Sequence, residues 1–469
     1  MIVNIIEPKK GTLLDPACGS GGMFIQSGDF INSHGMSANN AMTFFGQEKV
    51  EYNAQLCLMN MAVHGLNGKI KSGDEANSFY RDAHNLVGSC DYVMANPPFN
   101  VDKVKAESCE SAGRLPFGMP TINQNKEVGN GNYLWISYFY SYLNERGRAG
   151  FVMASSATDS QGKDKDIRQQ LVETGHVDVM ISVGNNFFYT KSLPCSLWFF
   201  DKGKREELKD KVLFIDARNY YTVVDRTLNE WSEWQMKNLN AIVWLYRGEQ
   251  DKYTNLLNDY TRFIESEIRN VLRHDCEIGQ DVDEKYFSRF ASNLDNLMKK
   301  WSDMRSLTDY YPLSDELDEL LTILDEQVKD WQNDIENLDK NAKKALYQKV
   351  QLRTFNQYKK VKLHQVDQFK KEVADLKLVI SEAKWLTDKF GMREYQDVAG
   401  LCKMASSEEI AEKNYSLTPG AYVGVAEVED DGIDFAERMA EIHRELLDLQ
   451  VESNVLMATI SKNMKEMGL

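Results

Sequence analysis

Metal-ligand spacing is missing from this sequence. Its seven cysteines (18, 57, 90, 109, 195, 276 and 402) include no C-x-x-C pair, and its seven histidines form no H-x-x-x-H or H-E-x-x-H cluster. Those gaps argue against the usual zinc frameworks, and cysteines scattered over a chain this long read as the reduced thiols of a cytosol. No apolar run approaches about eighteen residues and no signal peptide opens the chain, so no membrane span is expected and the expected location is cytoplasmic. Internal repeats and low-complexity tracts are also missing. Basic charge is in deficit, with 55 Lys+Arg against 71 Asp+Glu for a net charge of −16. The deficit is uneven: residues 1–248 carry −2 and residues 249–469 carry −14. An acidic chain lacks the broad field that holds a polyanion by itself, so a nucleic-acid role would need a local basic face or a basic partner.

What is present is a series of apolar runs, each ending in polar residues. Gly11-Thr12-Leu13-Leu14 reads as a buried parallel strand; Asp15-Pro16-Ala17-Cys18-Gly19-Ser20-Gly21-Gly22 follows it, and a helix starts near Met23. Strand, glycine turn and helix make a ligand crevice, because the glycines let a ligand approach the peptide groups and the helix start offers free N–H donors. A second strand ends in Glu48, an acid suited to ribose hydroxyls, and a third run, Ile70-Lys71-Ser72-Gly73-Asp74, ends in another acid. A fourth strand, Asp91 to Ala95, leads into Asn96-Pro97-Pro98-Phe99. All the polar candidates therefore lie at strand carboxyl ends, as expected of a doubly wound, Rossmann-like α/β sheet.

Asn-Pro-Pro-aromatic suits a particular chemistry. The prolines fix φ and remove competing N–H groups, so the Asn96 amide oxygen and the Pro97 carbonyl can both accept hydrogen bonds from one substrate NH₂. Such bonds draw the nitrogen lone pair out of conjugation and aim it at an electrophile. Phe99 offers a ring face for a planar base taken out of a duplex.

These two motifs together resemble the adenine-N6 DNA methyltransferases. More narrowly, the chain is similar to the modification (M) subunit of type I restriction-modification systems. The narrower resemblance rests on Gly129-Asn130-Gly131-Asn132-Tyr133-Leu134-Trp135, Gly147-Arg148-Ala149-Gly150-Phe151-Val152-Met153, Asp166-Ile167-Arg168 with Phe187-Phe188-Tyr189-Thr190 and Phe199-Phe200, and Asn414-Tyr415-Ser416-Leu417-Thr418-Pro419-Gly420-Ala421-Tyr422-Val423. It implies a methyltransferase sheet over 1–248, followed by a mainly helical extension. It also implies S-adenosyl-L-methionine as cofactor, held by Asp15, Pro16, Ala17, Cys18, Gly19, Ser20, Gly21 and Gly22. Glu48 would take the cofactor's ribose and Asp74 its adenine, while at the catalytic turn Asn96, Pro97 and Phe99 receive a flipped target adenine and Pro98 keeps the turn rigid. The implied partners are DNA, a specificity (S) subunit and a second M subunit, with a restriction (R) subunit left open. In the family a helical domain and a Phe/Tyr-Thr-Pro motif precede the glycine turn, whereas ten residues stand there in this chain, so the expectation is a chain that lacks that front part. Two alternatives stay open: a methyltransferase for RNA or protein glutamine, and a non-catalytic assembly subunit that keeps the fold.

The rear of the chain reads as helices. Residues 249–410 form a coiled-coil-like region with a seam of Leu317, Leu321, Leu324, Val328, Trp331, Ile335, Leu338, Ala342 and Ala345, expected to close within the chain. The lysines between 340 and 371 read as solvated helix faces rather than DNA contacts. Residues 411–469 hold a second seam, Phe435, Met439, Ile442, Leu446, Leu449, Leu456 and Ile460, which the resemblance assigns to subunit contact. Cys195 follows Pro194, as the nucleophile of cytosine-C5 methyltransferases does, but it lies beyond the catalytic strands and reads as packing.

Overall fold

A computed structural model describes residues 1–188, 192–278, 283–391, 394–426 and scattered positions between 439 and 457, without the side chains of 272–277. Residues 1–424 form one compact unit and 425–469 another.

The first unit is built on a nine-stranded sheet. Its strands in chain order are β1 (Gly11–Asp15), β2 (Met42–Glu48), β3 (Gly68–Ser72), β4 (Cys90–Ala95), β5 (Leu143–Ala154), β6 (Val177–Val183), β7 (Cys195–Asp201), β8 (Lys211–Asp216) and β9 (Cys402–Ser406). Across the sheet they lie in the order β3-β2-β1-β4-β5-β7-β6-β8-β9. β3 to β5 run parallel, β7 is antiparallel to both neighbours, β6 and β8 are parallel, and β9 closes the edge antiparallel to β8. The chain steps outward from β1 through β2 to β3, then returns to place β4 on β1's other side. The crevice between β1 and β4 is thus the topological switch point where open α/β sheets take ligands.

Both faces of the sheet are covered, because alternate strand residues serve different cores. Leu13, Val179, Ile181, Leu213 and Ile215 enter one core with α1 (Ile2–Ile6), α2 (Gly22–Ser33), α3 (Glu51–Val63) and later helices. Leu14, Met180, Val212 and Phe214 enter the other with α4 (Asn132–Tyr142) and α5 (Lys163–Glu173). Gly150 on β5 has a specific reason to be glycine: a Cβ there would stand 2.9 Å from side-chain carbons of both Ile2 and Ile6. Its bare backbone lets α1 lie on the sheet.

Below the sheet, α6 (Glu233–Tyr246) starts at a capping box between Ser232 and Gln235. A helical extension then runs through α7 (Gln250–Ile278), α8 (Glu284–Trp301), α9 (Leu313–Glu336), α10 (Lys340–Lys349) and α11 (Phe355–Phe390). Leu317, Leu324, Trp331 and Ile335 are buried, so the seam closes within the chain. It is not one helix, however. Asp339 accepts from the N–H groups of Asn341 and Ala342, at 2.8 Å each, and starts α10 anew, which puts Leu338 in the turn and Ala342 and Ala345 on a separate helix. Lys359, Lys370 and Lys377 of α11 pair with Glu336, Asp325 and Asp318 of α9. These lysines join two helices, a role the sequence pattern did not assign them. Among the described residues no helix is long and apolar enough to cross a membrane, and the six described cysteines, Cys195 included, are buried and unpaired.

Candidate functional site

A cavity of about 780 Å³ opens at the switch point. Its walls are the loops after β1, β2, β3 and β4, together with Trp135 of α4, Phe188 and Leu193. A cavity of that size lies within the range that holds small-molecule ligands.

Pro16, Ala17 and Gly19 of the glycine turn line it. Asp15, Cys18 and Gly21 are buried, whereas Ser20 and Gly22 are exposed and none of these five reaches the lining. The turn is held by β2, since Cys18 N–H donates to the Gln47 carbonyl at 3.1 Å. Glu48 is also a lining residue; its two carboxylate oxygens accept from Gly19 N–H at 3.0 Å and Val50 N–H at 2.8 Å. That carboxylate joins the turn to the start of α3 and keeps lone pairs for a hydroxyl-bearing ligand. Gly21 sits at φ 85, where a Cβ would meet Cys57 Sγ at 2.8 Å. Its glycine is required by the turn and by α3, not by the cavity.

Asp15 is 2% exposed and accepts from Ala17 N–H at 3.0 Å. Burial, with a smaller push from Glu48, raises its carboxyl to about 7.

Asn96, Pro97, Pro98 and Phe99 all line the same cavity, so the two motifs 81 positions apart share one space. Asn96 and Pro98 are exposed, Pro97 is buried and Phe99 half-buried. The Phe99 ring meets that of Phe188 edge to face, with centroids 6.4 Å apart. Trp135 stands by Phe79, at 4.5 Å between centroids, so the wall around the Asn-Pro-Pro-Phe turn is aromatic.

Asp74 is exposed and does not line the cavity. β3 ends at Ser72, Gly73 turns at φ 81, and Asp74 opens a short 3₁₀ turn. The lining residues from this corner are Ala76, Asn77, Ser78, Phe79 and Tyr80. They are fixed by the buried Gln47, whose amide donates to Ser78 Oγ at 3.0 Å and to the Arg81 carbonyl at 3.2 Å. Sequence reasoning also missed Lys49, Asn53, Lys103, Trp135 and Phe188 as lining residues. For Trp135 and Phe188 a signal existed, because both lie in stretches that carry the family resemblance.

The sequence profile of the family described as N-6 DNA Methylase matches residues 1–270 and 336–431. The chain belongs to this family. Residues 271–335, which hold α8 and nearly all of α9, fall between the matched segments. The type I restriction enzyme MjaIX methylase subunit of Methanocaldococcus jannaschii is 35% identical over 258 residues, 54% of this chain and 44% of that protein. The HindI methylase subunit of Haemophilus influenzae is 25% identical over 472 residues, 100% of this chain and 71% of that protein. The match to the first thus spans less than half the relative's length. A methyltransferase subunit of a type I restriction-modification system from Streptococcus thermophilus superposes with a TM-score of 0.44 at 20% identity, over 50% of this chain and 48% of that one.

Proposed function

We propose that this member of the N-6 DNA methylase family is the catalytic modification subunit of a type I restriction-modification complex, methylating the N6 of a flipped adenine in DNA. The observation that carries the reading is the shared cavity: Pro16, Ala17, Gly19 and Glu48 border one part and Asn96 to Phe99 another.

The residues fit S-adenosylmethionine. Space is open where a Cβ on Gly19 would stand, so the turn presents bare backbone to a ligand. Glu48 suits ribose hydroxyls, and the buried Asp15 suits an ammonium group close behind the lining. The cofactor supplies an electrophilic methyl group on a sulfonium. The protein prepares the nucleophile: the Asn96 amide oxygen and the Pro97 carbonyl each accept one N–H of the adenine amino group, which concentrates electron density on the nitrogen. Phe99 and Phe188 offer ring faces to the base, and the prolines hold the acceptors still. No tuned base is needed, because the amino proton leaves after transfer.

The remaining partners follow from charge and shape. The charge of −14 over residues 249–469 leaves DNA attraction to a basic specificity subunit. Within the second unit, Met439, Ile442, Leu446, Leu449 and Leu456 are exposed helix residues at three-, four- and seven-residue spacings, an apolar stripe suited to a helix of that subunit. Phe435 and Ile460 lie outside the described residues.

The test compares Asn96→Ala with the unaltered chain, each assembled with its specificity subunit, in tritiated methyl transfer to unmethylated DNA and in calorimetric titration of S-adenosylmethionine. Transfer is expected to fall about 10²- to 10³-fold, the size of losing one preorganised hydrogen-bonding group at a reacting centre. Cofactor affinity should stay the same. Equal transfer by both chains would sink the assignment.

A further inference from the structure

The turn that carries Asn96 to Phe99 is gripped at its exit, Asn100, by two side chains 30 and 32 positions later in the sequence. Asn100 sits in the left-handed region at φ 55. Its N–H donates to Asn132 Oδ1 at 2.8 Å, and its own Oδ1 accepts from Asn132 Nδ2 at 2.9 Å and from Asn130 Nδ2 at 3.0 Å. Asn130 Oδ1 in turn accepts from Asn132 N–H at 2.9 Å, and Gly131 N–H donates to the Val101 carbonyl at 2.8 Å. Asn132 is 3% exposed and is the first residue of α4. Its amide thus uses a donor and an acceptor on one residue, Asn100.

The geometry matters because the prolines do only part of the work. They fix φ at 97 and 98 but leave the exit of the turn free. Left-handed φ is uncommon for a residue with a Cβ and persists where its surroundings hold it. Released from Asn132, Asn100 would relax to negative φ and swing the four residues before it. A misplacement of about 1 Å at a reacting centre costs about a hundredfold in rate.

We propose that Asn132, supported by Asn130, is a positioning residue for methyl transfer: it fixes the turn at Asn100 and through it the acceptors of Asn96 and Pro97. This rests on the function proposed above. Asn132 does not line the cavity, and the glycine turn that borders its other part makes no hydrogen bond to residues 130–132. Loss of the clamp should therefore change the chemical step and leave cofactor binding alone.

The experiment uses the full chain assembled with its specificity subunit, unmethylated bacteriophage λ DNA and tritiated S-adenosylmethionine, both at saturation. Asn132→Ala and Asn100→Gly are each expected to lower kcat about 10- to 100-fold, while the KM for cofactor and the calorimetric Kd for S-adenosylhomocysteine stay within about twofold. The double variant should fall well short of the product of the two single losses, because both variants lose the Asn132 Nδ2 to Asn100 Oδ1 contact. Wild-type kcat in Asn132→Ala, additive losses in the double variant, or a parallel loss of cofactor affinity overturns the proposal. If Asn132→Ala fails to fold, Asn130→Ala decides alone, with the same fall in kcat expected: residue 130 lies outside the cavity lining, and the substitution removes the Nδ2 donor to Asn100 Oδ1 and the Oδ1 acceptor of the Asn132 N–H. Asn96→Ala separates the two failures. An inactive Asn96→Ala beside a normal Asn132→Ala refutes the clamp only, whereas an active Asn96→Ala, or an unaltered complex that transfers nothing, refutes the methyltransferase reading and the clamp with it.

Discussion

Arg168 donates from Nε to the carbonyl of Tyr415, 247 positions further along the chain. Its Nη1 donates to the Tyr133 hydroxyl at 2.9 Å and to the Ser160 carbonyl at 2.8 Å, and the side chain is fully buried. Close by, Leu417 N–H donates to the Thr158 carbonyl at 2.8 Å, and Tyr422 stacks on Phe214 with centroids 3.9 Å apart. The segment around 415–423 is therefore one wall of the sheet domain, although the helical extension separates the two in sequence. α4, whose first residue grips the Asn-Pro-Pro-Phe turn, is fixed to that wall through Tyr133.

Arg168→Met should cost about 3 kcal/mol of stability, since it removes the donor from three acceptors at once, the buried Tyr133 hydroxyl among them, and a lost partner costs about 1–3 kcal/mol. Urea unfolding of the two chains measures it. A change below about 0.5 kcal/mol would mean that water replaces the guanidinium at no cost.

A second buried cation makes a prediction with a sign in pH. Arg247 donates to Asp178 from Nε at 3.2 Å and Nη2 at 2.7 Å, and from Nη1 to the Ile5 carbonyl at 2.9 Å. Burial alone would raise the Asp178 carboxyl, but Arg247 and Lys204 outweigh it and hold it below its ordinary value. A depressed carboxyl adds stability that is complete above the unfolded-state pKa near 3.8 and is lost as pH falls through the lower folded-state value. Arg247→Ala should remove about 3–5 kcal/mol by leaving a buried carboxylate poorly paired. It should also shift the remaining dependence, with stability falling as pH rises past the carboxylate range. Unfolding midpoints at pH 4 and pH 7 test both statements, and an unchanged difference between them would refute the second.

Cofactor binding should depend on pH through Asp15. Its carboxyl, raised to about 7 by burial, is half protonated near neutrality. An ammonium group bound beside it would favour the charged form, so the bound state holds fewer protons and affinity rises with pH. S-adenosylmethionine should bind about tenfold more weakly at pH 6 than at pH 8, one pKa unit on each side of the transition. Asp15→Asn should flatten the profile. Calorimetry in buffers of different ionisation enthalpy should also detect a proton released on binding, and its absence would remove Asp15 from the site.

The lysine pairs between α11 and α9 are partly exposed, so each is worth about 0.2–1 kcal/mol and is screened by salt. Replacing Lys359, Lys370 and Lys377 together by glutamine should lower the Tm at low ionic strength and leave it nearly unchanged at about 1 M salt. A drop that persists in high salt would point to packing by the lysine stems instead.

The strands were legible because each is a short apolar run closed by a polar or glycine residue, and burial on both faces leaves few other ways to fold such runs. The two parts of the cavity wall were legible for the same reason: Pro16 and Asn96 follow adjacent strands. The corner after β3 was not. An acid at position 74 looked equivalent to Glu48, but the turn at Gly73 decides which residues of 74–80 reach the cavity, and φ at a glycine leaves no mark on its neighbours. The Asn100–Asn132 pairing was hidden as well, since an amide 32 positions away from its partner has no periodicity. The seam from Leu317 was read correctly as internal, yet its apolar spacing continued across Asp339 because a side-chain cap outweighs a heptad pattern at the point where the chain turns.

β8 and β9 are neighbours with Ile215 paired to Cys402. Seen from the sheet, residues 217–401 are the loop of a single β-hairpin. The edge needs only that the two strands come together, and it sets no limit on what lies between them. Residues 271–335, passed over by the family profile, lie within that loop. A change of length there would leave the register beneath it undisturbed, so the pairing that closes the sheet places no constraint on the helices hung from it.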